Sequence, residues 1–130
     1  MSVNATILLV DDDHEIREMT SLLLGGAGFE VRTAGSGEEA IYRTQQERPD
    51  LILLDINMPG VDGWETLRLL REDERTQHTP VIMFSVNFEL REKLYALQQG
   101  AQDYVTKPFD TDGLLRRIRE ALATAAAERS

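Results

Sequence analysis

The chain has 130 residues, enough for one domain with a real core and too few for two of ordinary size. Apolar residues make up 42% and charged residues 28%, the balance of a soluble globular chain rather than a disordered one. With 14 basic and 23 acidic side chains the net charge is −9, which argues against direct nucleic-acid binding and leaves cation binding open. Cysteine is absent, so disulfides, thiolate metal sites and thiol catalysis are excluded, and a cytoplasmic location fits. No apolar run nears the ~20 residues needed to span a bilayer. Met1-Ser2-Val3-Asn4 lacks the basic start of a signal peptide, so no membrane association is expected.

Apolar runs alternate with helical patterns along the whole chain. Ile7-Leu8-Leu9-Val10 stops at Asp11 and reads as a buried strand. A helix follows, with Asp13 as its cap, Ile16, Met19, Leu22 and Leu23 proposed as its apolar face, and a stop near Gly25, Gly26 and Gly28. Residues 29–34 alternate as a half-buried strand. Ser36 then caps a second helix, with Glu39 completing a capping box, and Pro49 ends it. Leu51-Ile52-Leu53-Leu54 is a second fully apolar run, closed by Asp55. The turn 57–63 leads to a helix over about 64–73. Val81-Ile82-Met83-Phe84 ends at Ser85, and a helix over 89–99 stops at Gly100. A shorter, more polar strand over 103–106 ends at Lys107-Pro108. The last helix starts from Asp110 or Thr111 and buries Leu114, Leu115, Ile118 and Leu122. Residues 123–130 read as a frayed end, giving a single domain over 1–130 with its core in 6–122.

Five strands alternating with five helices imply right-handed crossovers and an α/β fold with a parallel sheet covered on both faces. Runs apolar at every position belong in the middle of such a sheet. The first, third and fourth strands are therefore central, and the alternating second and polar fifth strands are edges. The doubly wound order 2-1-3-4-5 satisfies this, a flavodoxin-like three-layer sandwich.

Ligands of such sheets bind outside the carboxyl ends of the strands. Collected there are Asp11, Asp12 and Asp13 after the first strand, Asp55 after the third, Ser85 after the fourth and Lys107 after the fifth. Any one Asp in such a place is usually a turn or cap residue. Clustered carboxylates repel unless a cation or proton lies among them. Carboxylates and carbonyls suit Mg²⁺. A calcium loop starting at Asp11 is disfavoured, because Ile16 stands where that loop needs glycine. A cation, a spare carboxylate, a hydroxyl and an ammonium together point to phosphoryl chemistry, with an Asp as nucleophile.

Over roughly residues 6–121 the chain resembles the receiver domain of two-component response regulators. The motifs are Val10-Asp11-Asp12-Asp13, Leu54-Asp55-Ile56-Asn57-Met58-Pro59-Gly60, Phe84-Ser85 and Gly100-Ala101-Gln102-Asp103-Tyr104-Val105-Thr106-Lys107-Pro108-Phe109. The resemblance implies that Asp55 accepts a phosphoryl group from a histidine kinase or histidine phosphotransfer protein. It further implies Mg²⁺ held by Asp12 directly, by Asp11 largely through water, by Asp55 and by the main-chain carbonyl of Asn57. Lys107 would pair with Asp55 and then with the phosphoryl oxygens, across a cis Lys107-Pro108 peptide. Ser85 and Tyr104 would be the switch residues, Tyr104 turning inward in response. Output would pass through the fourth helix, fifth strand and fifth helix to an effector protein, from a monomer or a phosphorylation-dependent dimer. The chain would catalyse its own phosphoryl transfer and dephosphorylation without being a turnover enzyme.

Ser85 replaces the commoner Thr of that family, and Val86 replaces its usual Ala or Gly. Asn57 and Asn87 hold positions that in the family influence dephosphorylation. Trp64 and Phe109 read as packing residues, and His14 and His78 as exposed bystanders. Val86, which could narrow access to Asp55, motivates an alternative: a constitutive interaction module that keeps the fold without phosphorylation. A metal-dependent phosphatase or nuclease lacks space for a cap region. A flavin protein is disfavoured by the three acids in the first loop.

Overall fold

The computed structural model describes residues 4–87, 89–107 and 109–129. Among them, β1 (Thr6–Val10), β2 (Glu30–Ala34), β3 (Leu51–Asp55), β4 (Val81–Ser85) and β5 (Asp103–Thr106) alternate with α1 (His14–Gly26), α2 (Gly37–Gln46), α3 (Gly63–Glu72), α4 (Leu90–Gln98) and α5 (Thr111–Arg129). All strand pairs are parallel, in the order β2-β1-β3-β4-β5. This is the doubly wound order expected from the polarity of the individual strands. β3 and β4 are buried at every position, whereas the edge strand β2 buries only Ala34.

Strand side chains alternate between two apolar layers. Leu8, Val10, Ile52, Leu54, Val81, Met83 and Tyr104 pack with Leu67 and Leu70 of α3 and Ala96 of α4. Ile7, Leu9, Leu51, Leu53, Ile82, Phe84 and Val105 pack with Leu24 of α1 and Leu114, Ile118 and Ala121 of α5. Full burial of each Leu or Ile is worth about 1.5–3 kcal/mol against exposure, so the central strands supply most of the stabilisation. Trp64 packs on the first layer and meets Tyr95 edge to face at 4.7 Å; Phe109 packs on the second.

Three local readings of the sequence are corrected. The face of α1 turned to the sheet is formed by Thr20 and Leu24, with Leu23 partly buried, while Met19 is 71% and Leu22 75% exposed. α1 is apolar on more than one side, so helical period alone could not select the stripe, and the sheet did. Secondly, Ser36 accepts the Glu39 N–H at 3.1 Å, but the Glu39 carboxylate reaches back to the N–H of Gly35. Thirdly, α5 continues to Arg129 and buries Ala125, past the point where a frayed end was expected. The alanines at 123 and 125–127 carry the strongest helix propensity of any residue.

The caps at Asp13 and Asp110 follow the sequence, and Asp62 adds one that was not singled out there. Asp13 accepts the N–H groups of Glu15 and Ile16, Asp62 that of Glu65, and Asp110 that of Gly113 at 3.0 Å. Glu89, just before α4, makes no side-chain cap bond, whereas the far end of the helix is held by Arg71, whose guanidinium donates to the Gly100 carbonyl at 2.9 and 3.0 Å.

Candidate functional site

Strand geometry delivers the site. Parallel strands end on one side, and the last ladder bonds aim the residues that follow. The Asp11 N–H still bonds the Ala34 carbonyl at 3.1 Å, so Asp11 extends β1 by one buried position. Asp55 is the last residue of β3 and is 4% exposed. Behind it, the N–H of Gly63 donates to the Ile56 carbonyl at 2.9 Å, drawing the start of α3 against the strand end. A side chain at 63 would overlap the Asp55 carbonyl and lie 2.6 Å from Ile56 Cα, so close approach is why glycine stands there.

Carboxylate oxygens of Asp11, Asp12 and Asp55 all lie within 4.8 Å of one another; Asp11 and Asp55 are buried and Asp12 is exposed. Lys107 enters from the end of β5, where its N–H donates to the Ser85 carbonyl at 2.7 Å. Its ammonium is 2.9 Å from Asp11 Oδ2 and 3.5 Å from Asp55 Oδ1, and stands 4.6 Å from the centre of the Phe84 ring. The pairing expected with Asp55 is thus shared, and the shorter contact goes to Asp11. The Phe84 ring carries the ammonium on its π-face, a support that β4 alternation alone would not reveal.

Three carboxylates facing one ammonium leave two formal negative charges. Burial, and then the charge of Asp11, push the Asp55 carboxyl up to about 6, against the opposing pull of Lys107. The donors are all hard oxygens and the residual charge is that of a divalent cation's counterpart, so the cluster fits a hard divalent ion.

Ser85 Oγ accepts the N–H of Asn87 at 3.1 Å and the side-chain amide of Asn57 at 3.4 Å. Asn57 also donates its main-chain N–H to Asp55 Oδ1 at 3.3 Å. It therefore links the end of β3 to the end of β4 through its side chain, a contact its place two residues past Asp55 does not announce. Tyr104 lies inward, 4% exposed, with its hydroxyl donating to the Asn87 carbonyl. Val86 sits at the rim, 65% exposed. Asp13 belongs to the α1 cap. His14 and His78 are exposed. The Lys107-Pro108 peptide, expected to be cis, lies outside the described residues.

Arg17 was not singled out from the sequence. Its Nη1 donates to the Asp11 carbonyl at 2.8 Å, six residues back from α1 into the acidic turn.

Residues 7–119 match the response regulator receiver domain, and the chain belongs to that family. It is 40% identical over 116 residues to the DNA-binding dual master transcriptional regulator RpaA of a Synechocystis species, covering 89% of this chain and 48% of RpaA. It is 42% identical over 120 residues to the phosphate regulon transcriptional regulatory protein PhoB of Pseudomonas aeruginosa, covering 92% and 52%. The chain thus spans about half the length of the curated relatives it matches. Among solved structures, chemotaxis protein CheY4 of Vibrio cholerae superposes with a TM-score of 0.87 at 34% identity, covering 92% of this chain and 99% of CheY4. The receiver domain of the Francisella response regulator 1452 gives 0.87 at 31% identity, covering 93% and 98%. Two of these relatives act in transcription by name, and RpaA is named as DNA-binding, so the expectation of no direct nucleic-acid binding, drawn from net charge, has no support from them. Among the described residues no helix is long and apolar enough to cross a membrane.

Proposed function

We propose that this domain is a phosphorylation-dependent switch: with Mg²⁺ it takes a phosphoryl group onto Asp55 from the phosphohistidine of a kinase or phosphotransfer protein in the cytoplasm. The observation that carries the reading is the Asp55 carboxylate, buried at a strand end, 3.5 Å from the Lys107 ammonium and beside Asp11 and Asp12.

An Asp55 oxygen attacks phosphorus in line, the P–N bond breaks, and the leaving imidazole keeps the electron pair and takes up a proton. Attack needs the ionised carboxylate. Burial and Asp11 push the Asp55 carboxyl up to about 6 in the metal-free cluster, still largely ionised at neutral pH, and a bound cation would favour the ionised form further. Mg²⁺, held by Asp11, Asp12, Asp55 and the Asn57 carbonyl, would neutralise charge on the phosphoryl oxygens. Lys107, shared between Asp11 and Asp55, is placed to pair with those oxygens as they arrive. Ser85 supplies a hydroxyl whose two present donors, Asn57 and Asn87, connect it to both neighbouring loops.

The output runs from Ser85 through Asn87 to Tyr104 and the face of α4, β5 and α5. Supporting this, α4 exposes Leu90 and Leu94, and a groove of about 380 Å³ between α4 and α5 is lined by Lys93, Tyr104, Phe109 and Arg117. A two-state shift of that face, biased by the phosphoryl group, changes what it binds. About half of RpaA and of PhoB lies outside the match, and control of a DNA-binding region is one output this reading admits. The domain resets by losing the phosphoryl group and turns over no separate substrate.

Intact-mass spectrometry after incubation with Mg²⁺ and a small phosphodonor, and separately with a phosphorylated histidine donor, tests the reading. One phosphoryl adduct in the parent and none in Asp55→Ala supports it. Absence of any adduct with both donors at early times overturns it.

A further inference from the structure

Every polar group of Asp11 has a partner, three of the four outside its own turn. Its N–H goes to Ala34, its Oδ1 accepts the Asp13 N–H at 2.9 Å, and its Oδ2 accepts from Lys107. Its carbonyl accepts from Arg17. That last bond acts on the next residue. The carbonyl belongs to the planar peptide joining Asp11 to Asp12, so holding the oxygen fixes the plane from which the exposed Asp12 side chain projects.

The Arg17 guanidinium is itself held in place. It lies across Gly35, where a Cβ would meet Nη1 at 3.1 Å and Cζ at 3.5 Å. Next to it stands Glu39, whose Oε1 accepts the Gly35 N–H at 2.6 Å and whose Oε2 pairs with Arg43 at 3.0 Å. The Arg17 charge helps hold the Glu39 carboxyl below its usual range, after the Gly35 hydrogen bond and Arg43. Gly35 has an ordinary backbone, so the missing side chain serves space rather than conformation. The planar fork of an arginine suits this slot, with one edge on a carbonyl and its body over a glycine.

We propose that Arg17 is a positioning residue for the cation site: by clamping the Asp11–Asp12 peptide it aims Asp12 at the ion. This rests on the reading that the acidic cluster binds Mg²⁺. The alternative, a bystander charge, has the opposite sign. A cation near the site repels Mg²⁺, so its removal would tighten binding if it did nothing else. Loss of a clamp loosens binding.

Calorimetric titration of the full chain with MgCl₂, with amide chemical shifts of Asp12 as a second readout, separates the two. Arg17→Gln is expected to weaken Mg²⁺ binding about tenfold, the low end for losing a group that orients a metal ligand. Arg17→Lys, which keeps one donor for the carbonyl, is expected to recover part of that loss. Gly35→Val leaves the charge and displaces the fork, and is expected to weaken binding in the same direction, which keeps the test open should Arg17→Gln fail to fold. In the metal-free Arg17→Gln protein the Asp12 amide is expected to shift. Binding by Arg17→Gln or by Gly35→Val as tight as or tighter than the parent's overturns the proposal, as does failure of Arg17→Lys to recover any of the loss. Absence of Mg²⁺ binding by the parent itself overturns the underlying reading, and it is recognised because the parent alone reveals it.

Discussion

The Tyr104 hydroxyl donates to the carbonyl of Asn87, the same residue whose N–H is held by Ser85 Oγ. Asn87 is thereby gripped from two sides: by the Ser85 hydroxyl at the end of β4 and by a phenol from the edge strand β5. A displacement of Ser85 toward Asp55 must either break its bond to the Asn87 N–H or carry Asn87 along and load the bond to Tyr104. That geometry links Ser85 to Tyr104 through Asn87, whose side chain also accepts the N–H of Glu89, the residue before α4, at 2.9 Å.

Tyr104→Phe removes the hydroxyl and keeps the packing. The expected loss is about 1 kcal/mol, the ordinary worth of one hydrogen bond. Urea unfolding measures it, and amide exchange is expected to quicken at Asn87 and the first turn of α4 while the central strands are unchanged. Uniform quickening throughout the sheet would instead mark Tyr104 as a core residue with no special tie to the loop.

Asp55 sets a pH dependence whose sign follows from its environment. Its carboxyl titrates at about 6 rather than the usual 3.8, because burial and Asp11 disfavour the charge. The stability it contributes is fully present below about pH 4 and is lost as the pH rises through about 6. Asp55→Asn removes that loss. In chelator at pH 7.5 the variant is expected to be more stable than the parent by on the order of 3 kcal/mol, about two pH units at 1.36 kcal/mol each. Below pH 4 the two should converge. A variant less stable than the parent at pH 7.5 would contradict the account.

Lys107 shares its one positive charge between two buried carboxylates. Lys107→Met leaves Asp11 and Asp55 facing each other without their ammonium, and an uncompensated buried charge costs about 3–5 kcal/mol. Thermal unfolding in chelator is expected to show a large drop in Tm. Addition of MgCl₂ is expected to return a larger share of stability to the variant than to the parent, since the ion replaces the missing positive charge. Equal increments in the two proteins would mean that the ammonium and the cation do not share the cluster.

Gly63→Ala tests the close approach of α3 to the end of β3. The added methyl meets the Asp55 carbonyl and Ile56 Cα, both main-chain atoms that cannot rotate aside. Destabilisation of about 2–3 kcal/mol is expected, in the range for overpacking a filled site. Because the displaced backbone carries Asp55, phosphodonor labelling should fall as well. Gly25→Ala, with open space around it, serves as the control and is expected to keep full labelling.

The central strands, their order and the gathering of Asp11, Asp12, Asp55, Ser85 and Lys107 were legible in the amino-acid order alone. A run apolar at every position has one place in a doubly wound sheet, and a residue that ends such a run has one edge to occupy. Burial and strand direction act on each segment independently of its neighbours, which is why a linear reading recovers them. What the linear reading could not resolve were choices among partners brought together by folding. Lys107 favours Asp11, 96 residues away, over Asp55 by 2.9 against 3.5 Å. α1 turns Thr20 inward and leaves Met19 and Leu22 outside, although its apolar residues permit either stripe. Arg17 reaches back to the Asp11 carbonyl across Gly35, on another strand end, where a Cβ would crowd its guanidinium. Each depends on distances between elements remote in the chain, set by how two helices and a strand end pack, and the tertiary structure alone decides them.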